Sequence, residues 1–200
     1  MNYLLDITRL SNRYFVMRHG HSLANQQRII VSHPENGIPG FGLSESGESQ
    51  VSAAISPDHL LDTNTLIISS DFKRARESAE VIYQRLNCKT AIRSNVRLRE
   101  RNFGDLELSA DENYPRVWEM DEIDPDNRSL GVESPNQVMR RVSALITEFE
   151  TDFSGETLLL VSHGDALQIL QTAFQKEDAS QHRSQQHLET AEIRRLKLSS

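Results

Sequence analysis

Two apolar runs in this chain end abruptly on a histidine and a glycine. Tyr14-Phe15-Val16-Met17 leads into Arg18-His19-Gly20, and Leu158 to Val161 leads into Ser162-His163-Gly164. A segment that only has to turn is better served by Asn, Asp, Gly or Pro. Imidazole and guanidinium at these places bring chemistry. An arginine fork pairs two oxygens of a phosphoryl group at once. One imidazole with a free nitrogen can attack phosphorus and form a phosphohistidine. A second can hydrogen-bond the phosphoryl oxygens as charge shifts during transfer. A third segment, Ser69-Ser70, is followed by a helical pattern in which Arg74 stands about one turn in, close enough to reach back. Departure of an alkoxide needs a proton donor. Glu100, in Leu98-Arg99-Glu100-Arg101-Asn102-Phe103-Gly104, is the candidate: burial near Phe103 would raise its pKa, letting it donate and then activate water.

These groups need elements that bring them together. Residues 13–17 and Leu66 to Ser70 read as short buried strands, and the apolar run from Leu158 to Val161 as a third. A weaker strand is expected around Thr90-Ala91-Ile92, and a last one from Ile193 to Leu198. Helices are expected over 21–29, over 45–55 ending before Pro57, over 72–86, from Pro135 onward and from Gly164. Ser44 is the expected N-cap of the second of these. Ser134 caps the fourth, with Pro135 at the first position and Gln137 completing a capping box. Residues 32–44 and 102–131 read as loop and irregular excursion, with one short helix near 111–120; 175–187 read as a mobile polar loop. Strands alternating with helices give an α/β fold. Ligands of open α/β sheets sit beyond the carboxyl ends of the strands. Arg18-His19-Gly20, Ser69-Ser70 and Ser162-His163-Gly164 all fall there.

Composition narrows the functional classes. The 200 residues suit one domain, and a net charge of −7 argues against a nucleic-acid-binding face. Cys88 is the only cysteine, which excludes an intrachain disulfide and fits a reducing compartment. No basic-then-apolar leader and no apolar stretch of about 18 residues is present. The expectation is a cytoplasmic protein with no membrane partner.

Five segments, in order, resemble the histidine phosphatase superfamily, also called the phosphoglycerate-mutase-like family. Arg18-His19-Gly20 with Ser22 and Asn25 resembles its first signature, and Leu43-Ser44-Glu45-Ser46-Gly47 its second. Ser69-Ser70-Asp71-Phe72-Lys73-Arg74-Ala75, the Glu100 segment and Ser162-His163-Gly164 resemble the remaining three. The resemblance implies a three-layer sandwich with a central, mostly parallel sheet flanked by helices. It spans residues 13–170 of a single domain, 1–200, in which 102–131 passes over the active site. His19 would be the phosphorylated nucleophile and Glu100 the acid/base. Arg18, Arg74 and His163 would bind the phosphoryl group, with Asn25 auxiliary. No metal and no cofactor is implied. His21, Asp71 and Leu106-Glu107-Leu108 depart from the family pattern, which bears on substrate rather than on the central chemistry.

Three activities compete: a phosphatase acting on a small phosphorylated metabolite, a mutase returning the phosphoryl group to another hydroxyl, and a non-catalytic phosphate binder. Only 32 residues separate Glu100 from Glu133, and 37 follow His163, where mutases of the family carry longer segments. Hydrolysis by a monomer or homodimer is therefore the expectation. His19-x-His21 lacks the further ligands of a metal pair. His182 and His187 read as solvated, Arg140-Arg141 as a solvated helix face, and Trp118 as a packing anchor or part of a lid. Arg101 reads either as structural or as a contact to a second anionic group.

Overall fold

The computed structural model describes residues 1–56 and 61–199. Five strands, β1 (Arg13–Arg18), β2 (Leu66–Ser69), β3 (Arg93–Ser94), β4 (Thr157–Ser162) and β5 (Ile193–Leu196), form one sheet in the order β3-β2-β4-β1-β5. The first four run parallel, and β5 is antiparallel to β1 at the edge. Among the described residues, seven α-helices surround them: α1 (Leu23–Gln27), α2 (Pro34–Gly37), α3 (Glu45–Ala53), α4 (Lys73–Leu86), α5 (Tyr114–Ile123), α6 (Pro135–Asp152) and α7 (Gly164–Phe174).

The alternation along a strand sends successive side chains to opposite faces. Tyr14 and Val16 of β1, with Leu158 and Leu160 of β4, pack under α6 and α7. Phe15 and Met17, with Leu159 and Val161, pack under α3 and α4. Both central strands are therefore apolar on two sides, which is why they read as unbroken runs. Burying each such side chain contributes about 1.5–3 kcal/mol. The result is a three-layer α/β sandwich. A third, smaller cluster of Ile30, Phe103, Leu106, Val117 and Val132 lies beneath the 102–131 excursion.

Several boundaries differ from the sequence expectation. Within the 90–98 stretch the strand forms at Arg93–Ser94, just past Thr90-Ala91-Ile92, where parallel pairing with Ile68 and Ser69 is available. The helix placed at 21–29 stops at Gln27, because Arg28 turns left-handed and closes it. The 32–44 loop contains α2, started by His33 and Pro34. The helix placed at 45–55 is α3, ending at Ala53; Pro57 lies outside the described residues. The polar 175–187 segment is an ordered 3₁₀ turn over Ala179–Ser184, pinned by the buried His182.

The start of α3 sits hard against the loop after β1. Ser44 caps Gly47 N–H at 3.2 Å, and its hydroxyl donates to His21 O at 3.0 Å. A Cβ on Gly47 would lie 1.9 Å from His21 O, and one on Gly20 would lie 2.6 Å from Gly47 O. Two backbones thus approach closer than any side chain allows, which fixes the loop bearing His19. Helix propensity alone favours Gly47→Ala by about 1 kcal/mol. The backbone clash outweighs it, so Gly47→Ala lowers stability by about 1–3 kcal/mol in denaturant unfolding, whereas Ser49→Ala, on the exposed side of α3, changes it by under about 0.5 kcal/mol.

Candidate active site

The carboxyl ends of β1, β2 and β4 bring His19, Arg18, Ser70 and His163 together. The His19 and His163 rings lie 5.1 Å apart at 64°. His19 Nδ1 is 2.8 Å from Gly20 O, so that nitrogen carries the proton and Nε2 keeps its lone pair. Arg74, buried on α4, donates its Nε–H to that lone pair at 3.0 Å and Nη2–H to Val31 O at 2.8 Å. Ser78, one turn on, donates to Arg74 O and accepts from Gly20 N–H, tying α4 to the histidine loop. His163 Nε2 meets Ser70 Oγ at 2.9 Å. Three buried nitrogens around this pair have no hydrogen-bond partner: Arg18 Nε, Arg74 Nη1 and His163 Nδ1. Unpartnered buried polar atoms are rare in structures, and such a cluster is what a tetrahedral anion would satisfy.

Burial, then the charges of Arg74 and Arg18, hold the His19 imidazole well below its ordinary pKa. Burial and Arg74 do the same to His163. Both rings are therefore neutral at neutral pH, and His19 Nε2 is available as a nucleophile. Asn25 lines the cavity beside Arg18. Its Oδ1 accepts from Ser22 N–H and Oγ–H, closing a capping box on α1.

Glu100 reaches the same place from the loop after β3. Ser162 Oγ–H donates to Leu98 O at 2.6 Å, and Asp71 binds the Arg99 guanidinium through both oxygens, at 2.8 and 2.5 Å. These two anchors fix the chain on either side of Leu98 and Arg99. Arg141 holds the same loop through the carbonyls of Arg97, Arg99 and Glu100 and through Glu133, so it is no solvated helix face. Glu100 Oε1 accepts from Arg101 N–H and Ala166 N–H at 2.9 and 3.3 Å. Burial and then the Asp165 carboxylate raise its pKa; Arg74 and the two N–H donors oppose them without prevailing.

Behind Glu100 lies a charged cluster that sequence reasoning missed. Arg101 and Asp121 are both fully buried and pair at 2.5 and 2.8 Å. Arg101 also approaches Asp165 at 3.4 Å and donates to Glu133 O. His182 is fully buried with Nε2 3.7 Å from Asp121, and Trp118 Nε1–H donates to Asp165 at 3.0 Å. Arg183 covers the Trp118 ring at 3.7 Å. The expected solvated histidines are therefore internal: His182 packs in this cluster, and half-buried His187 accepts from Arg18 Nη1 at 2.6 Å. Arg101 takes its structural reading. No local pattern flagged Asp121, Asp165 or His187, because their partners are 20 to 169 residues away.

Departures from the family pattern also find partners. His21 Nδ1 meets Ser44 Oγ at 2.9 Å. Glu107 accepts from Ser32 N–H and Oγ–H, His33 N–H and Asn36 Nδ2–H, fastening the excursion onto the loop after α1. Leu108 adopts a φ of 61°, a left-handed conformation that suits glycine better.

The description of the histidine phosphatase superfamily, branch 1, matches residues 14–200. This chain belongs to the histidine phosphatase superfamily. The probable phosphoglycerate mutase GpmB of Escherichia coli is 32 % identical over 163 residues, 78 % of this chain and 71 % of that protein. A solved mycobacterial glucosyl-3-phosphoglycerate phosphatase with inorganic phosphate superposes with a TM-score of 0.71 at 26 % identity, covering 92 % of this chain and 88 % of the other. A structure described as mycobacterial hydrolase 1 gives 0.74 at 26 % identity, over 92 % and 87 %. Among the described residues of this superfamily member, no group of three or more His, Cys, Asp and Glu is placed to hold a metal, and no helix is long and apolar enough to cross a membrane.

The electrostatics have a direct readout. In an NMR titration, the His19 and His163 imidazoles stay neutral well below the ordinary histidine range, and the Glu100 carboxyl keeps its proton above the ordinary carboxyl range. Asp165→Asn removes a nearby negative charge, so the Glu100 titration moves to lower pH.

Proposed function

We propose that this protein is a metal-independent phosphatase of a small phosphorylated metabolite, working through a phosphohistidine on His19 as a single-domain cytoplasmic enzyme. The reading is carried by one observation: His19 Nδ1 is committed to Gly20 O, leaving an Nε2 lone pair among partnerless guanidinium and imidazole nitrogens. Likeness to a phosphatase at 26 % identity supports it.

In the first step the His19 Nε2 lone pair attacks phosphorus. The phosphorus–oxygen ester bond breaks, and its electron pair leaves on the alcohol oxygen. Glu100, held protonated by burial and Asp165, gives that oxygen a proton. Arg74 Nε–H, which now faces the lone pair, turns to a phosphoryl oxygen. Arg18, His163 and Asn25 hold the other oxygens as charge moves onto the leaving group. In the second step Glu100, now a carboxylate, takes a proton from water. The water oxygen attacks phosphorus, the nitrogen–phosphorus bond breaks, and its pair returns to His19. Guanidinium charge takes the part that a metal would play, so a chelator leaves the rate unchanged. Likeness to a probable mutase favours a second reading, return of the phosphoryl group to another hydroxyl; free phosphate against isomerised ester in one assay separates the two.

His19→Ala removes the nucleophile and lowers phosphate release by at least about 10⁴-fold. Retained turnover would overturn the assignment. Glu100→Gln lowers kcat on alkyl phosphates by about 10²–10⁴-fold but affects the release step of 4-nitrophenyl phosphate far less, because nitrophenolate needs no proton to leave. Equal losses on both esters in steady-state and burst kinetics would remove Glu100 from the role.

A further inference from the structure

The charge of the cavity beyond the phosphoryl position speaks to the substrate class, and rests on the phosphatase reading above. We propose that the enzyme selects phosphomonoesters of small uncharged alcohols, and that Asp111 and Asp165 turn away alcohols bearing a second anionic group.

Arg18, Asn25, Glu100 and Gly164 line a cavity of about 250 Å³. Ile29, Asp111, Tyr114, Trp118, Asp165 and His187 complete its wall. Among the described residues, Arg18 is the only Lys or Arg on the wall, and its place is at the phosphoryl group. His187 adds no cation: its Nε2 accepts from Arg18, and burial together with Arg18 holds the imidazole below its ordinary pKa. A carboxylate or second phosphate entering here would find the Asp111 and Asp165 carboxylates and no second Lys or Arg to pair with. Arg101 and Arg183 stand behind Asp165 at 3.4 and 3.6 Å and offset part of its charge, but neither lines the cavity. Arg28 meets Asp111 at 3.4 Å from a largely exposed position.

The aromatic residues do not make a stacking platform. Tyr114 and Trp118 stack on each other at 5.3 Å and 4°, and Arg183 covers the remaining Trp118 face. Both faces of Trp118 are therefore occupied, which leaves no paired aromatic faces to sandwich a nucleobase or cage an ammonium group. The volume equals about eight waters. A short polyol fits these limits.

A larger groove of about 550 Å³, lined in part by Arg99, Arg128 and Arg141, lies on the other side of the Glu100 segment. Arg99 is committed to Asp71, and Arg141 to Glu133 and three carbonyls. That groove shares Glu100 with the cavity but neither Arg18 nor Asn25 nor Gly164. The alcohol is therefore assigned to the acidic cavity.

The test uses glycerol 3-phosphate and 3-phosphoglycerate, which differ by a hydroxymethyl group against a carboxylate. Phosphate release gives kcat/KM for each, and each is also titrated as a competitor of 4-nitrophenyl phosphate, so a slow ester still yields a binding constant. The proposal expects the wild type to favour glycerol 3-phosphate at least tenfold. Asp111→Asn and Asp165→Asn should each narrow that ratio at least threefold. If loss of the Arg101 and Arg183 contacts keeps Asp165→Asn from folding, Asp111→Asn decides alone. Parity or preference for 3-phosphoglycerate, or a ratio that the folded variants leave unmoved, overturns the proposal. Failure of the phosphatase reading looks different: no His19-dependent hydrolysis of 4-nitrophenyl phosphate at all.

Discussion

A guanidinium buried against an imidazole is tolerable only while the imidazole stays neutral, and the remaining architecture follows from that constraint. Arg74 is almost wholly inside the protein, with its Nε–H on His19 Nε2. Protonation of that ring would set two cations in contact in a poorly solvated place, at a cost of several kcal/mol. Arg18 adds a further positive charge nearby. The same crowding that keeps both histidines neutral makes the place hungry for an anion. The proposed nucleophile and the anion site are thus one physical arrangement, not two features side by side.

Holding that arrangement takes polar anchors at the strand ends, where regular sheet bonding runs out. Ser162 fastens the Glu100 loop, Ser70 orients His163, and Ser78 joins α4 to the Gly20 loop. On the opposite side of Glu100, the Arg101–Asp121 pair ties α5 to the Glu100 loop from within the protein. Such a buried pair adds little stability of its own, although removing one partner costs about 3–5 kcal/mol. Its position gives it another part: it lets Asp165 sit close to Glu100 and raise the pKa of that carboxyl, while Arg101 and Arg183 offset part of the Asp165 charge.

The sequence was most legible where a signal is local. Apolar runs named β1 and β4, and Ser134-Pro135 with Gln137 marked the start of α6. Both His-Gly pairs and Arg74 could be grouped because each stands at the end of a strand or in the first turn of a helix, and Glu100 because a leaving alkoxide needs a proton donor. What could not be read depends on distant partners. His182 and His187 lie in a polar stretch with no apolar periodicity, and only the fold brings them to Asp121 and Arg18. Arg141 looks like any helix-surface arginine until the carbonyls of Arg97, Arg99 and Glu100 are beside it. Leu108 marks the reverse case, in which excursion anchors such as Glu107 hold a conformation its own side chain disfavours.

The central claim is that His19 Nε2 bonds to phosphorus during turnover. Mass spectrometry of protein quenched in alkali during steady-state hydrolysis addresses it most directly. The account predicts a phosphoryl group on His19, stable to alkali and lost in acid, whose amount falls as the substrate is exhausted. A phosphoryl group on another residue, or none at all while phosphate is being released, would contradict it.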